Sequence, residues 1–512
     1  MSANNDTVSF ASIDRMPHVS DFSFLGLLLT ALALYATFVA YDVFFGPLSH
    51  IPGSKFAAAS HLPKVIGLWT GFDVHKILEL HERYGPVVRT APRQVSYTDA
   101  SAWKTIYGHK TGGKTRTFEK DPKFYITDPT ATRHIVIADD ASHTRQRRIL
   151  ANSFSDKALR DQEPLLKRWA GYMVSKLKEA TAAGEAVDMV AYYNFTTFDV
   201  MSDLTFGEPL YMLENEEYAP SVRLIFDSIK NIGKFVALGQ LPFMSWLLLK
   251  LIPASLRRKQ RENEKFASDR VDRRLARDPG RPDLWTEILR RSDDGKGDAT
   301  AGMSLEEMHG NATVFMNAGT ETTATLLSGL TYYLLTNPDK MAKLVSEVRG
   351  AFPSETDITI DALAKLPYLN ACIEEGLRMY PPISSGLPRL TPEGGAVIAN
   401  KYIPANVSVS VNHWATYQST ANFLNPSQFV PERFLGDPEY ANDNFGALQP
   451  FSVGPRNCIG KNLAYHEMRL LLTMVLVSFD LELQEESKGW KDQKVFIFWD
   501  KRPLMVKLKA LG

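Results

Sequence analysis

Residues 22–41 carry no charged side chain, and Asp21 and Asp42 close the run at its two ends. A helix of that length rises about 30 Å, the thickness of the hydrocarbon layer of a bilayer. The run therefore predicts one membrane-crossing helix. It divides the chain into an N-terminal segment with its anchor, residues 1–46, and a separately folding body, residues 47–512. Only Arg15 is basic ahead of the run, beside Asp6, Asp14 and Asp21, whereas Lys55 and Lys64 open a long basic-containing remainder. That asymmetry predicts a lumenal N-terminus and a cytosolic body. A cleaved signal peptide would have a shorter apolar stretch behind a basic start, and neither feature is present. In this orientation the sequon at Asn5 faces the lumen, and those at Asn194, Asn311 and Asn406 face the cytosol and stay unmodified. Pro47, Pro52 and Gly53 then read as a stiff turn into the body.

The body is long enough to bury a sizeable core. The 58 basic and 58 acidic side chains of the whole chain cancel, which removes the basic surplus that a nucleic-acid partner needs. Cys372 and Cys458 are its two cysteines, too few for a disulfide framework and consistent with a reducing compartment. Helical periodicity dominates, and strand-like stretches are short: residues 87–90, 94–98, 396–399 and 407–411. The expectation is a mainly α body with small β-sheets. The apolar run 241–253 is too short to span a bilayer; dipping into the interface and joining the core are both open to it.

Ser304 and Glu307 form a capping box at the start of a pattern that runs to Thr336 and stops at Asn337-Pro338. Such a helix would be about 50 Å long. Its centre, Ala318-Gly319-Thr320-Glu321-Thr322-Thr323, holds poor helix formers between apolar flanks, which predicts a buried helix with a local opening. The segment Gly108 to Thr115 fits a phosphate-loop pattern, but a helix-like stretch precedes it where a strand is needed, and Pro122 and Pro129 follow where a long helix is needed. Nucleotide binding is rejected on that context.

The most informative stretch is Phe451-Ser-Val-Gly454-Pro-Arg456-Asn-Cys458-Ile-Gly460, which leads into an apolar helix over residues 463–479. A thiol at a helix start has its thiolate favoured by free N–H groups and the helix dipole. Gly454 and Gly460 allow tight turning and close approach to a flat partner. Arg456 is a permanent cation suited to a carboxylate, and Phe451 can shield the sulfur.

This pattern resembles the haem-binding signature of the cytochrome P450 family, with Phe451, Gly454, Arg456, Cys458 and Gly460 at its defining positions. Other motifs follow in the family's order. Glu375 and Arg378, spaced three apart before Pro381-Pro382, and Arg433 in Pro431-Glu-Arg-Phe, resemble the family's buried ionic lock. Ala318, Gly319, Glu321 and Thr322 match its distal-helix pattern. His143 and Arg147 resemble its haem-propionate helix, with His143 standing where many members have Trp, and Arg389 matches a further propionate contact. The similarity runs from about Pro47 to the C-terminus and is nearest to microsomal, fungal-type members of secondary metabolism.

The resemblance implies a cytochrome P450 fold and a haem b (iron protoporphyrin IX) cofactor ligated by Cys458. It implies an endoplasmic-reticulum monooxygenase that takes electrons from NADPH through NADPH–cytochrome P450 reductase and oxidises a lipophilic small molecule with O2. Thr322 would hydrogen-bond dioxygen, and Glu321 would relay protons or hold water. Substrate walls would come from residues 124–137, 224–240, 314–318 and 383–387. A haem-thiolate isomerase or dehydratase independent of O2, and a non-catalytic haem carrier, are the alternatives.

Overall fold

In this computed structural model, residues 19–109, 118–125, 133–182, 184–241, 244, 254–277, 280–286, 288–289 and 302–511 are described. The chain divides into two compact units, Met1–His50 and Ile51–Gly512.

In the first unit, helix α1 (Val19–Phe44) has apolar side chains such as Phe24, Leu27, Leu34 and Phe38 facing outward. Residues 24–44 of it are long and apolar enough to cross a membrane. Thr30 and Thr37 return their hydroxyls to the carbonyls of Gly26 and Ala33, so these two polar groups are satisfied within the helix. Asn5, with its sequon, lies outside the described residues.

The second unit is mainly helical. The helices that build the site are α2 (Asp140–Leu150), α3 (Met189–Phe206), α4 (Pro220–Gly239), α5 (Leu305–Thr336), α6 (Pro367–Met379) and α7 (Lys461–Ser478). A five-stranded sheet contains β1 (Val87–Ala91), β2 (Gln94–Tyr97), β3 (Glu119–Lys120), β5 (Arg389–Leu390) and β8 (Ser408–Val411), in the order β1-β2-β8-β5-β3. Only the β2–β8 pair in it is parallel, with Val95 opposite Val409. A three-stranded sheet joins β4 (Ala186–Asp188), β10 (Met505–Ala510) and β9 (Phe479–Leu483), and β6 (Ala396–Ile398) pairs with β7 (Lys401–Ile403). The four strand-like stretches of the sequence all become strands. The two- and three-residue strands were not legible, because so short a ladder is set by its partner and not by periodicity.

The capping box forms as expected: the Ser304 hydroxyl accepts from the Glu307 N–H, and the Glu307 carboxylate accepts from the Ser304 N–H. Helix α5 then runs without interruption to Thr336, so the expected local opening is corrected. The hydroxyls of Thr320 and Thr322 each donate over 2.6 Å to the carbonyl four residues back, satisfying themselves inside a closed helix. Gly319 has a packing reason instead: a Cβ there would lie 2.7 Å from the Met201 sulfur of α3. Gly329 likewise gives room to the Tyr380 ring.

Helix α3 is buried almost all round, as a central helix must be, and its two carboxylates are hydrogen-bonded. The Asp199 carboxylate accepts from the backbone of Leu210, Met212 and Leu213, and Asp203 accepts from the Trp169 indole. Asn194 and Asn311 are buried and hydrogen-bonded, to Tyr218 and Gln146, so neither sequon is accessible to a glycan. The phosphate-loop match runs out of a short helix, Ser101–Tyr107, into residues 110–117, which lie outside the described residues. Most of the apolar run 241–253 lies outside them too.

Candidate active site

The loop 451–460 folds on itself through short backbone bonds. Cys458 N–H donates to the Phe451 carbonyl over 2.9 Å, and Asn457 N–H to the Gly454 carbonyl over 3.1 Å. The turn requires left-handed backbone at Ser452 (φ 58°) and Gly454 (φ 78°). A Cβ on Gly454 would also lie 2.0 Å from the Tyr107 carbonyl oxygen, so only glycine fits. Gly460 is different: the nearest atom to a Cβ there is 4.0 Å away, on Phe154. Its missing side chain leaves open space beside the thiol. The Phe451 ring packs on Tyr465 at 5.2 Å.

Cys458 lies in the loop just ahead of helix α7, and its thiol is solvent-accessible although protein surrounds it closely. It therefore faces a space inside the fold. Burial pushes the thiol pKa up, and this outweighs the downward pulls of the Gly460 N–H, Arg147 and Lys461. The helix-start effect expected from the sequence is present but is the smaller one. Binding to a cationic metal would supply the missing charge outright.

Arg147 is committed to this loop: it donates to the Asn457 carbonyl over 2.6 Å and to the Asn457 side chain over 2.8 Å. Around it gathers an excess of cations. Arg456 donates to the Ala138 carbonyl and to Asp140, while its Nη1 is buried with no hydrogen-bond partner. Arg389 is buried over the Tyr107 ring at 5.8 Å. Lys120, which the sequence reading missed, has its ammonium pushed down to about 6 by burial and by the nearby Arg389 and Arg456. Burial, then Arg456, Lys120 and Arg147, hold His143 down to about 4, so it is a neutral imidazole. Burying like charges together is costly unless an anion joins them. An accessible thiol, a glycine beside it and a dianion-seeking cation group fit one flat molecule bearing two carboxylates and a thiolate-ligated metal. Haem b has that chemistry; Cys458 would be its ligand, and Arg456, Arg389, Lys120 and His143 would meet its propionates.

A buried ionic cluster stands behind the loop. Glu375 accepts from Arg378 through both oxygens, at 2.7 and 2.8 Å, and from Arg433 at 3.2 Å and the Val430 N–H at 2.7 Å. Arg433 also pairs with Asp443, which the sequence reading did not find. Arg378 continues to the Tyr417 carbonyl, the Tyr417 hydroxyl accepts from Gln449 N–H, and the Gln449 carbonyl accepts from Ser452 N–H. Hydrogen bonds thus connect the cluster to the thiol loop.

On α5, Val314, Ala318 and Thr322, four apart, line up as one stripe, with Ala318 exposed and the other two partly so, beside the buried Phe315, Met316 and Glu321. Glu321 points elsewhere and is buried with Lys501. Phe124, Val236, Gln240, Ser385 and Gly386 from the expected wall segments line one cavity of about 60 Å³, together with Gln94, Phe496 and Ile497. Residues 126–132 of those segments lie outside the described residues.

One further carboxyl escaped the sequence reading. Glu467 of α7 is fully enclosed, and burial raises its pKa to about 8 against a weaker pull from the Thr323 hydroxyl. Neither of its oxygens makes a well-formed hydrogen bond. The folded chain keeps this proton up to about pH 8, whereas the unfolded chain loses it near 4.5. Stability should therefore fall as pH rises between these values, by about 5 kcal/mol in total. Glu467→Gln should flatten that slope and leave the variant more stable than the parent at pH 8–9. Unfolding midpoints measured from pH 5 to 9 check this; parallel curves for both proteins would refute it.

Comparison with known proteins agrees with this geometry. The family model Cytochrome P450 matches residues 62–508. The chain is 54% identical over 501 residues to cytochrome P450 monooxygenase efuB of Hormonema carpetanum, covering 96% of this chain and 98% of that protein. It is 44% identical to cytochrome P450 monooxygenase lcsI of Purpureocillium lilacinum, over 94% of this chain and 93% of that protein. It is also 44% identical to cytochrome P450 monooxygenase FUM2 of Gibberella moniliformis, over 91% of this chain and 98% of that protein.

Proposed function

Because this chain belongs to the cytochrome P450 family of monooxygenases, we propose that it oxidises an apolar small molecule with O2 and NADPH-derived electrons, in secondary-metabolite biosynthesis. The electrons arrive through NADPH–cytochrome P450 reductase. Helix α1 anchors the protein in the endoplasmic-reticulum membrane, with residues 1–46 as anchor segment and the body on the cytosolic side, where a lipophilic substrate partitions nearby. The observation that carries the proposal is the accessible Cys458 thiol, in the loop just ahead of helix α7, which packs against α5 with its Val314–Ala318–Thr322 stripe.

Haem iron held by a thiolate supplies the oxygen chemistry, the sulfur's electron density favouring O–O cleavage. The chain's residues do the rest. Arg147 and the bonds of loop 451–460 hold the sulfur in place. Arg456 and Arg389 neutralise and orient the carboxylates, and Lys120 and the neutral imidazole of His143 donate hydrogen bonds to them. Val314 and Ala318 present an apolar wall. The Thr322 hydroxyl, parked on the Ala318 carbonyl at 2.6 Å, turns to donate away from its own helix and holds a proton there. Glu321, next along the helix and buried with Lys501, relays protons or holds a water beside it.

The test uses full-length protein in vesicles with reductase, NADPH and isotopically labelled O2. Label in the product supports the reading. Product formed without reductase or O2 would favour the isomerase or dehydratase, and no substrate-dependent oxygen uptake would favour a haem carrier. Thr322→Ala should keep NADPH oxidation but lower product per NADPH by about 100-fold or more, the usual scale for a proton-transfer group. Product and NADPH quantified together check it; unchanged coupling removes Thr322 from the scheme.

A further inference from the structure

Strands β2 and β8 run parallel, and their register sets Gln94 beside Ser408 and Ser96 beside Ser410. Side chains alternate along a strand, so these four share one face of the sheet. Val95, Tyr97, Val409 and Val411 take the other face, which is core: each is 2% exposed or less. The polar face borders the cavity of about 60 Å³, and Thr90 of β1 lines the same space.

On that wall the Ser96 hydroxyl is bonded to the His81 ring, and the Gln94 amide donates to the Gln240 side chain over 2.6 Å. The hydroxyls of Thr90, Ser408 and Ser410 find no hydrogen-bond partner among the described residues. Thr90 and Ser408 are buried, and an unpaired hydroxyl withdrawn from water costs free energy. Gly386 keeps the third hydroxyl uncovered, because a Cβ there would lie 2.5 Å from Ser410 Oγ. The wall across from the sheet is of the opposite character. Leu68, Val236 and Phe124 belong to one apolar cluster there. Lys64 on the lining is cancelled by Asp73 at 2.6 Å, and Asp121 adds a further carboxylate, so an anion is disfavoured.

Three open hydroxyls, an apolar wall and a surplus carboxylate select one kind of guest. We propose that this sheet face determines substrate specificity by taking an uncharged, oxygen-bearing end of an otherwise apolar substrate, such as a hydroxyl, ketone or ester group. Thr90, Ser408 and Ser410 hydrogen-bond the oxygen atoms, and the apolar wall covers the adjoining carbon. The space of about 60 Å³ suits such an end group, whereas a whole lipophilic molecule needs several hundred. The Gln94–Gln240 amide pair ties β2 to the end of α4 beside it. This inference deepens the monooxygenase reading and rests on it for the rest of the substrate.

The experiment titrates full-length holoprotein in phospholipid vesicles with three twelve-carbon probes: dodecane, 1,2-dodecanediol and dodecanoate. Binding is followed by calorimetry and by the substrate-induced absorption change, without reductase or NADPH. Wild type is compared with the Ser408→Ala/Ser410→Ala double variant in the same vesicles, so partitioning into lipid cancels in the ratio. A neutral hydrogen bond contributes about 2- to 10-fold in affinity. The double variant should therefore bind the diol about 10-fold more weakly, with dodecane within two-fold of wild type and dodecanoate the weakest probe for both proteins. Should the double variant not fold, Thr90→Val and Ser410→Ala are made singly, each expected to weaken the diol alone by about 3-fold. Diol affinity unchanged by the substitutions would overturn the proposal, because water alone would then occupy the hydroxyls. An equal loss for diol and dodecane would also overturn it, showing a change of shape and not of recognition. So would a wild type that binds no diol or binds dodecanoate most tightly. Wild type that makes no NADPH-dependent product in a separate assay would instead sink the monooxygenase reading, and the binding ratios would still report on the sheet face.

Discussion

Cys458→Ser is expected to abolish the thiolate-type absorption of the reduced carbon monoxide complex and to lower oxidation of substrate by about a thousand-fold or more, some 4 kcal/mol of barrier. Serine fits the space, since the loop is held by backbone bonds from Cys458 to Phe451 and Asn457 to Gly454 and not by the sulfur. The body should therefore stay folded, and the cation group around Arg456 and Arg389 should still attract the propionates. What disappears is the soft, electron-rich donor on the iron: an alcohol oxygen does not replace thiolate in pushing electron density toward O–O cleavage. Haem content, the carbon monoxide spectrum and turnover with reductase would be measured side by side. A variant that kept the thiolate spectrum would show that another residue ligates the iron, and Cys372, buried among apolar residues with its thiol raised well above the ordinary range, is no substitute.

Glu375→Gln is expected to have the largest effect on folding. Glu375, Arg378 and Arg433 each have fully enclosed side chains, and Asp443 is 2% exposed. As they stand, two guanidinium groups face two carboxylates and the cluster is neutral. Removing one negative charge leaves a buried guanidinium uncompensated, which costs about 3–5 kcal/mol. Domains are stable by only about 5–15 kcal/mol, so much of the margin goes. Because Arg378, Tyr417, Gln449 and Ser452 connect the cluster to the thiol loop, haem uptake should fall with stability. Denaturant unfolding and the haem-to-protein ratio of freshly purified protein are the measurements. An unfolding midpoint unchanged from wild type would show that the cluster does not support the loop.

The sequence read alone was most reliable where function is compressed into a few neighbouring residues. Loop 451–460, the capping box at Ser304 and the uncharged run before Asp42 are local patterns whose physics needs no distant partner. The order of motifs along the chain then implied the fold and the cofactor. The expected opening at Gly319 failed because helix propensity is a weak prior that tertiary contact overrides: Met201 of α3 occupies the space, and the threonine hydroxyls close onto their own helix.

What only the tertiary structure decided is which charges lose their water. Lys120, Asp443, Glu467 and Lys501 are ordinary surface residues in the printed chain, because a lone charge is normally solvated. Their weight comes from burial and from partners far off in sequence, such as Glu321 for Lys501 across 180 positions. Desolvation multiplies the strength of every pairing and the cost of every unpaired group. It is a property of the packed interior and has no local signature for a sequence to display.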